Sequence, residues 1–206
     1  MIDTFDKMSL RVFFDVEDIT QSDMDLLDKE VNLIALLSGM SPDDVLALPL
    51  AEFSKMTSNL QFITGMPNRV VPKTKYKLNG RIYEVMYDAD NMNVAQYVDY
   101  ASYSKLEDGR ERLIGLLSVF LIPKGKKYGD GYDMKVVKED VLDMSVVEVW
   151  SMSAFFLDWS KALTKVTQTY LVKKLKKMAK KEKDMERKRM LEEAAATLET
   201  SGVMWQ

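Results

Sequence analysis

The stretch Asn32-Leu-Ile-Ala-Leu-Leu-Ser38, with Gly39 and Ser41-Pro42-Asp43-Asp44 after it, is the most informative part of this sequence. Its apolar residues recur at three- and four-residue spacings, a pattern that predicts a buried helix. Gly39 is a natural helix stop, because glycine adopts the left-handed backbone that follows many helix ends. Ser41 then supplies an N-cap and Pro42 a first helical residue. The stretch therefore predicts a buried helix, a turn and a short capped helix.

The same pattern returns later in the chain. Residues 32–38 match 112–118 with five identities in seven, and we expect Leu36 and Leu116 to be buried. Downstream, Asp-Val-Leu at 44–46 matches 140–142, with Glu and Met at preserved spacing, and the second copy is 16 residues longer between its blocks. The match predicts two related helical units. Chance similarity between leucine-rich helices is the alternative.

A hairpin signal separates the two copies. The segments 75–78 and 81–85 flank Asn79-Gly80, a pair that tolerates the positive φ angles of a type I′ turn. Because a two-stranded hairpin is marginal alone, we expect it to lie against the helices. Arg112 to Ile122 is apolar almost all round and predicts a core helix.

These patterns predict a mainly α fold: two related multi-helix units, one inserted β-hairpin and a long basic C-terminal helix. Residues 146 to about 198 contain neither Pro nor Gly, which indicates one long helix or two. The expected organisation is an N-terminal helical unit (1–66), a linker with the hairpin (67–90), a second helical unit (91–170) and a basic helix with its tail (171–206). All four parts can also form one domain.

The composition narrows the function. The 206 residues include no Cys and no His, so thiolate and imidazole catalysis and cysteine zinc sites are excluded. No other catalytic constellation stands out, and we predict a chain that is not an enzyme, with no catalytic, cofactor-binding or metal residues. No secretory signal is visible in residues 1–8, and the longest apolar run is about ten residues, against about 20 for a membrane span. We therefore expect a soluble protein.

A Gly-rich loop follows the second apolar helix, at residues 125–133. Backbone amides and two lysines could bind phosphate there, but the P-loop pattern is absent and no strand is predicted before it. A surface insertion that contacts a partner is the favoured interpretation.

The net charge of −3 hides a strong polarity. Residues 171–190 carry ten Lys or Arg against three acids, a local charge of +7, which leaves −10 for the rest of the chain. The usual explanation of such a run is a solvated helix, followed by a helix that docks on a partner or an acidic surface, and then by nucleic-acid contact. No aromatic residue interrupts the run to stack on bases. The predicted basic patch consists of Lys173, Lys174, Lys176, Lys177, Lys180, Lys181, Arg187, Lys188 and Arg189.

Large apolar side chains also cluster shortly before the basic run. Four aromatic residues lie within 149–159, too many for one helix face, so this cluster is either a core element or an interface anchor. The 15 methionines are many for this length and suit adaptable contacts. The predicted partner interface consists of Trp150, Phe155, Phe156, Trp159, Phe53 and Met56.

Residues 33–56, from Leu33-Ile-Ala-Leu-Leu-Ser-Gly39 to the Glu52-Phe53 pair, resemble the helical module of tail assembly chaperones of long-tailed phages. A later segment, from Val94-Ala-Gln-Tyr-Val-Asp99 through residues 120–133 to the predicted helix with Phe155-Phe156-Leu157, looks like uncharacterised proteins from tailed-phage structural-gene clusters. The resemblance implies a non-enzymatic morphogenesis protein that binds tail tube or tape-measure segments in the host cytoplasm, with a homo-oligomer left open.

In those chaperones a β-rich segment usually precedes the helical module, whereas this hairpin follows it. The alternative is therefore a virion component, such as a head–tail connector or packaged protein, that contacts nucleic acid through the basic helix.

Overall fold

A computed structural model describes residues 1–86, 92–182 and 184–201, without the side chains at 155, 157–171 and 198–201. The chain folds into two compact units, Met1–Ser153 and Ala154–Gln206. The mainly α prediction is confirmed, and the small sheet is antiparallel. The four-part organisation stays a prediction.

The first unit begins with four helices: α1 (Leu10–Gln21), α2 (Leu26–Ser38), α3 (Pro42–Leu46) and α4 (Leu50–Asn59), followed by a 3₁₀ turn at Leu60–Thr64. The predicted signals act as expected. Gly39 lies in the left-handed region at φ 75°, and Ser41 and Asp44 form a reciprocal capping box at the start of α3. The second helix begins at Leu26 after the N-cap Asp25.

The sheet has three strands in the order β1 (Lys75–Leu78), β2 (Arg81–Val85) and β3 (Leu121–Pro123). Asn79 and Gly80 both have positive φ, as a type I′ turn requires. The third strand was not expected: the core helix predicted to run to Ile122 ends at Phe120, and the chain then pairs with β2. The hairpin is therefore stabilised by a strand as well as by helices.

Three further helices also lie in this unit: α5 (Val94–Tyr103), α6 (Gly109–Phe120) and α7 (Met134–Leu142). The end of α6 supplies fully buried core residues, Leu117 and Phe120 among them. Leu36 and Leu116, expected in the core, are half-buried, and their neighbours Leu37 and Leu117 are the buried ones.

Two helices follow, α8 (Val146–Lys181) and α9 (Met185–Ser201), so the long Pro- and Gly-free stretch forms two helices. The N-terminal segment is tied to the start of α8. Ser9 and Ser145 form an isolated antiparallel bridge. It places Met8 and Leu10, both fully buried, against the α7–α8 junction.

Candidate protein-binding surfaces

The first candidate surface is the corner between α3 and α4, residues Leu46–Ala51, which we call the open corner. Leu46 is 64% exposed and Leu50 is 82% exposed, and Ala47, Pro49 and Ala51 are also exposed. The neighbouring side chains hold the corner in place, because Val45 is fully buried in the core and Leu48 packs against it. The open corner thus presents apolar side chains on a fixed backbone.

The corresponding corner in the second copy, residues 142–147, is covered, and we call it the closed corner. Val146, the counterpart of Leu50, is only 5% exposed, and Leu142, the counterpart of Leu46, is half-buried. The cover is the segment Met8–Leu10, in which Ser9 is extended and Leu10 begins α1. The Leu10 N–H donates to the Met144 carbonyl at 2.8 Å, and the Val146 N–H donates to the Met8 carbonyl at 2.9 Å.

The two corners have two backbone hydrogen bonds in common. In the open corner the Leu48 N–H donates to the Val45 carbonyl at 3.2 Å, and in the closed corner the Met144 N–H donates to the Val141 carbonyl at 3.1 Å. The Phe53 N–H donates to the Pro49 carbonyl at 3.0 Å, as the Val149 N–H does to the Ser145 carbonyl.

A second exposed apolar segment lies in the loop between the 3₁₀ turn and β1. Met66 and Val71 are almost fully exposed and Val70 is exposed. The Val70 N–H donates to the Ser151 hydroxyl at 2.9 Å, which attaches this loop to α8.

The basic patch lies at the end of α8 and the start of α9. All nine of its predicted side chains are exposed, at 173, 174, 176, 177, 180, 181, 187, 188 and 189. The apolar residues between them share one face of α8, where Val172 and Ala179 are buried and Leu175 is half-buried. The cations therefore occupy the solvent side of an amphipathic helix.

The predicted aromatic interface divides into several environments. Trp150 is exposed and Phe156 is buried. Phe53 and Met56 are half-buried and pack against the core of the first unit, beneath the exposed residues of α4. The side chains of Phe155 and Trp159 lie outside the described residues, so the interface as a whole stays a prediction.

A charged network that the sequence did not reveal joins the hairpin to α7. Asp140, 1% exposed, accepts hydrogen bonds from Arg81 Nε and Nη2, both at 2.7 Å, from Asn79 Nδ2 at 2.9 Å and from the Tyr83 hydroxyl. The Arg81 guanidinium, with help from Tyr83 and Asn79, lowers the pKa of Asp140 to about 2. Burial, and then the Asp140 carboxylate, raise the pKa of Tyr83 to about 12.

These pairings are 57 to 61 residues apart, and no local pattern marks them. Because every oxygen of Asp140 is bonded to a neighbour, the network is a structural clamp and leaves no carboxylate oxygen for substrate.

The polar groups of the Gly-rich loop form bonds within the loop and to α5. The buried Tyr128 donates to Asp99 Oδ2 at 2.6 Å, and the Lys127 N–H donates to Asp130 Oδ2 at 2.6 Å. Burial, followed by the bond to Asp99, raises the pKa of Tyr128. A loop with no net charge, whose amides at 126, 127 and 130 are already bonded, fits a surface insertion better than a phosphate site.

Within residues 1–86, 92–182 and 184–201, no cluster of three or more acidic side chains has the geometry to hold a metal ion. In the same part of the chain, no helix is both long and apolar enough to cross a membrane. Comparisons with protein-family models, curated proteins and solved structures found no match to this chain.

Proposed function

We propose that this chain is a non-enzymatic phage morphogenesis protein, of the tail assembly chaperone type, that binds segments of a tail tube or tape-measure protein. The observation that carries the proposal is the open corner. It exposes two leucines within residues 33–56, the stretch that resembles the chaperone module.

Exposure of these leucines favours a binding role, because burial of one leucine side chain contributes about 1.5–3 kcal/mol. The fixed backbone of the corner adds to this argument. Val45 and Phe53, on either side of the exposed residues, pack into the core, so little conformational entropy is lost when a partner binds.

The test is co-purification from cells that express the tagged full chain together with the tail tube and tape-measure proteins of the same genome. Leu46→Gln/Leu50→Gln removes the apolar surface but keeps residues that favour helix. We expect about tenfold or greater loss of the captured tail protein, since each lost leucine contact costs more than 1 kcal/mol.

Val94→Gln/Val98→Gln is the matched control, because both valines are exposed on α5, away from the open corner in sequence. This variant should capture tail protein as wild type does. Failure of the wild-type chain to capture either tail protein would contradict the proposal.

A second candidate function rests on the exposed basic patch. In this version the chain is a virion structural or packaged protein that contacts nucleic acid. The nine exposed cations favour it, since each neutralised phosphate contributes about 0.9 to the slope of log affinity against log salt. Steeply salt-dependent retention on DNA, lost in Lys174→Gln/Lys177→Gln/Lys181→Gln, and presence in mature particles would favour this candidate over the chaperone.

A further inference from the structure

We propose that the open corner binds a partner segment with the pattern apolar-x-apolar through two main-chain hydrogen bonds. The partner would donate an N–H to the Leu48 carbonyl, and the Leu50 N–H would donate to a partner carbonyl. This inference rests on the proposed function and specifies the chemistry of the segment that is bound.

The closed corner is the precedent. There Met8-Ser9-Leu10 lies antiparallel to Met144-Ser145-Val146, and the two backbone hydrogen bonds flank the central Ser9–Ser145 pair. The outer residues, Met8 and Leu10, are both fully buried. The segment that the closed corner holds therefore has an extended central residue, Ser9, between two buried apolar residues, and Leu10 begins α1.

The open corner carries the same two backbone groups in the same places. Leu48 corresponds to Met144 and Leu50 to Val146. Among the residues that the structure describes, the Leu48 carbonyl and the Leu50 N–H have no hydrogen-bond partner. Two flanking backbone bonds, from the Leu48 N–H to Val45 and from the Phe53 N–H to Pro49, match those of the closed corner at nearly equal distances, so the backbone on both sides of the two groups turns in the same way.

Pro49 occupies the position that corresponds to Ser145 in the closed corner, and it does not prevent the two hydrogen bonds. In the bridge, the hydrogen bonds use the residues on either side of Ser145 and leave its own N–H unused. A proline at this position therefore removes no required donor. Its backbone is extended, at φ −57° and ψ 139°.

The probe is a synthetic peptide with this chain's own residues 5–13, added to the isotope-labelled full chain and followed by amide NMR. We expect the Leu50 amide signal to shift in a saturable way. A peptide with an N-methyl group on the residue that corresponds to Leu10 should bind about tenfold more weakly, because it lacks the donor to Leu48. N-methylation at the residue that corresponds to Ser9 is the matched control and should have little effect.

Two variants of the chain test the second hydrogen bond. Leu50→Ala removes the side chain and keeps the N–H, whereas Leu50→Pro removes both, at a first helical position that accepts proline. We expect Leu50→Pro to bind the peptide about tenfold more weakly than Leu50→Ala.

Equal binding by Leu50→Pro and Leu50→Ala, or a peptide that shifts Val146 and not Leu50, would overturn the inference. If the peptide does not bind but tail protein is still captured through Leu46 and Leu50, this inference fails and the proposed function stands. If the peptide binds as expected and no tail protein is captured, the proposed function fails alone.

Discussion

Two segments of the chain share a sequence pattern but differ in what covers them. They are α2–α3–α4, whose corner is exposed, and α6–α7–α8, whose corner is covered. Ser38 and Ser118 make the same bond, each hydroxyl donating at 2.6 Å to the carbonyl four residues earlier. The residues that follow the two serines differ, because α2 ends before the left-handed Gly39 whereas α6 continues to Phe120 and the chain then enters β3. The longer connection in the second segment provides a strand for the hairpin, and the first segment keeps its corner open.

The two aspartates at matching positions show what this difference does. Asp44 is exposed and caps α3 together with Ser41, while Asp140 is buried and clamped by three hairpin residues. An Asp-Val-Leu motif can therefore be a surface cap or a buried clamp, depending on the element that packs over it.

The largest expected effect on stability is at the two buried leucines that match in sequence, Leu37 and Leu117. Leu37→Ala and Leu117→Ala should each destabilise the fold by about 2–5 kcal/mol, because both leucines are fully buried. Urea unfolding measures the change in the free energy of unfolding. A cost below about 1 kcal/mol for either variant would mean that the two segments do not share a core position.

The second largest effect on stability distinguishes Asp140 from Asp44. Asp140→Ala should lower the free energy of unfolding by about 3 kcal/mol, because it removes the carboxylate that accepts from the buried Tyr83 hydroxyl and from the Arg81 guanidinium. Asp44→Ala, the matched control on the surface, should lower the free energy of unfolding much less, because the Asp44 carboxylate is exposed to solvent. Equal costs in urea unfolding would contradict the distinction between clamp and cap.

The clamp also predicts a dependence on pH. The pKa of Asp140 falls from an ordinary 3.8 to about 2 in the folded chain, so its stabilisation is present above about pH 4 and is lost as pH falls toward 2. The difference in free energy of unfolding between wild type and Asp140→Asn should shrink by about 2 kcal/mol over that range. A difference that stays constant from pH 5 to about pH 2 would be inconsistent with a lowered pKa.

The smallest effect concerns a matched pair of small residues. Gly115, the counterpart of Ala35, lies so close to the Tyr103 ring that an added Cβ would overlap it. Gly115→Ala should therefore cost about 1–2 kcal/mol, although alanine favours helix. The double variant with Tyr103→Ala removes the overlap, and there Gly115→Ala should no longer destabilise the chain. If Gly115→Ala still destabilises the chain when Tyr103 is replaced by alanine, overlap with the ring is not the cause.

Features set by neighbouring residues could be predicted from the sequence. Gly39, the Ser41 cap and the Asn79-Gly80 turn each act through contacts within about four residues, and each is where the pattern placed it. Residue type in the hairpin does not indicate which side chains are buried, because Tyr83 is buried in the core while Ile82 is exposed.

Features that depend on distant contacts could not be predicted. Strand β3 has an apolar composition that also suits a helix, and its pairing with β2 joins residues 36 to 40 positions apart. The cover of the closed corner comes from residues 8–10, more than 130 positions away, so the sequence could not indicate which of two similar corners is exposed.

Amide hydrogen exchange at Leu50 and Val146 in the full chain shows directly which of the two corners is open. We expect the Val146 amide, bonded to the Met8 carbonyl, to be protected, and the Leu50 amide to exchange rapidly and to become protected when tail protein is added. Strong protection of Leu50 in the chain alone, or no change at Leu50 in the complex, would contradict an open corner that binds a partner.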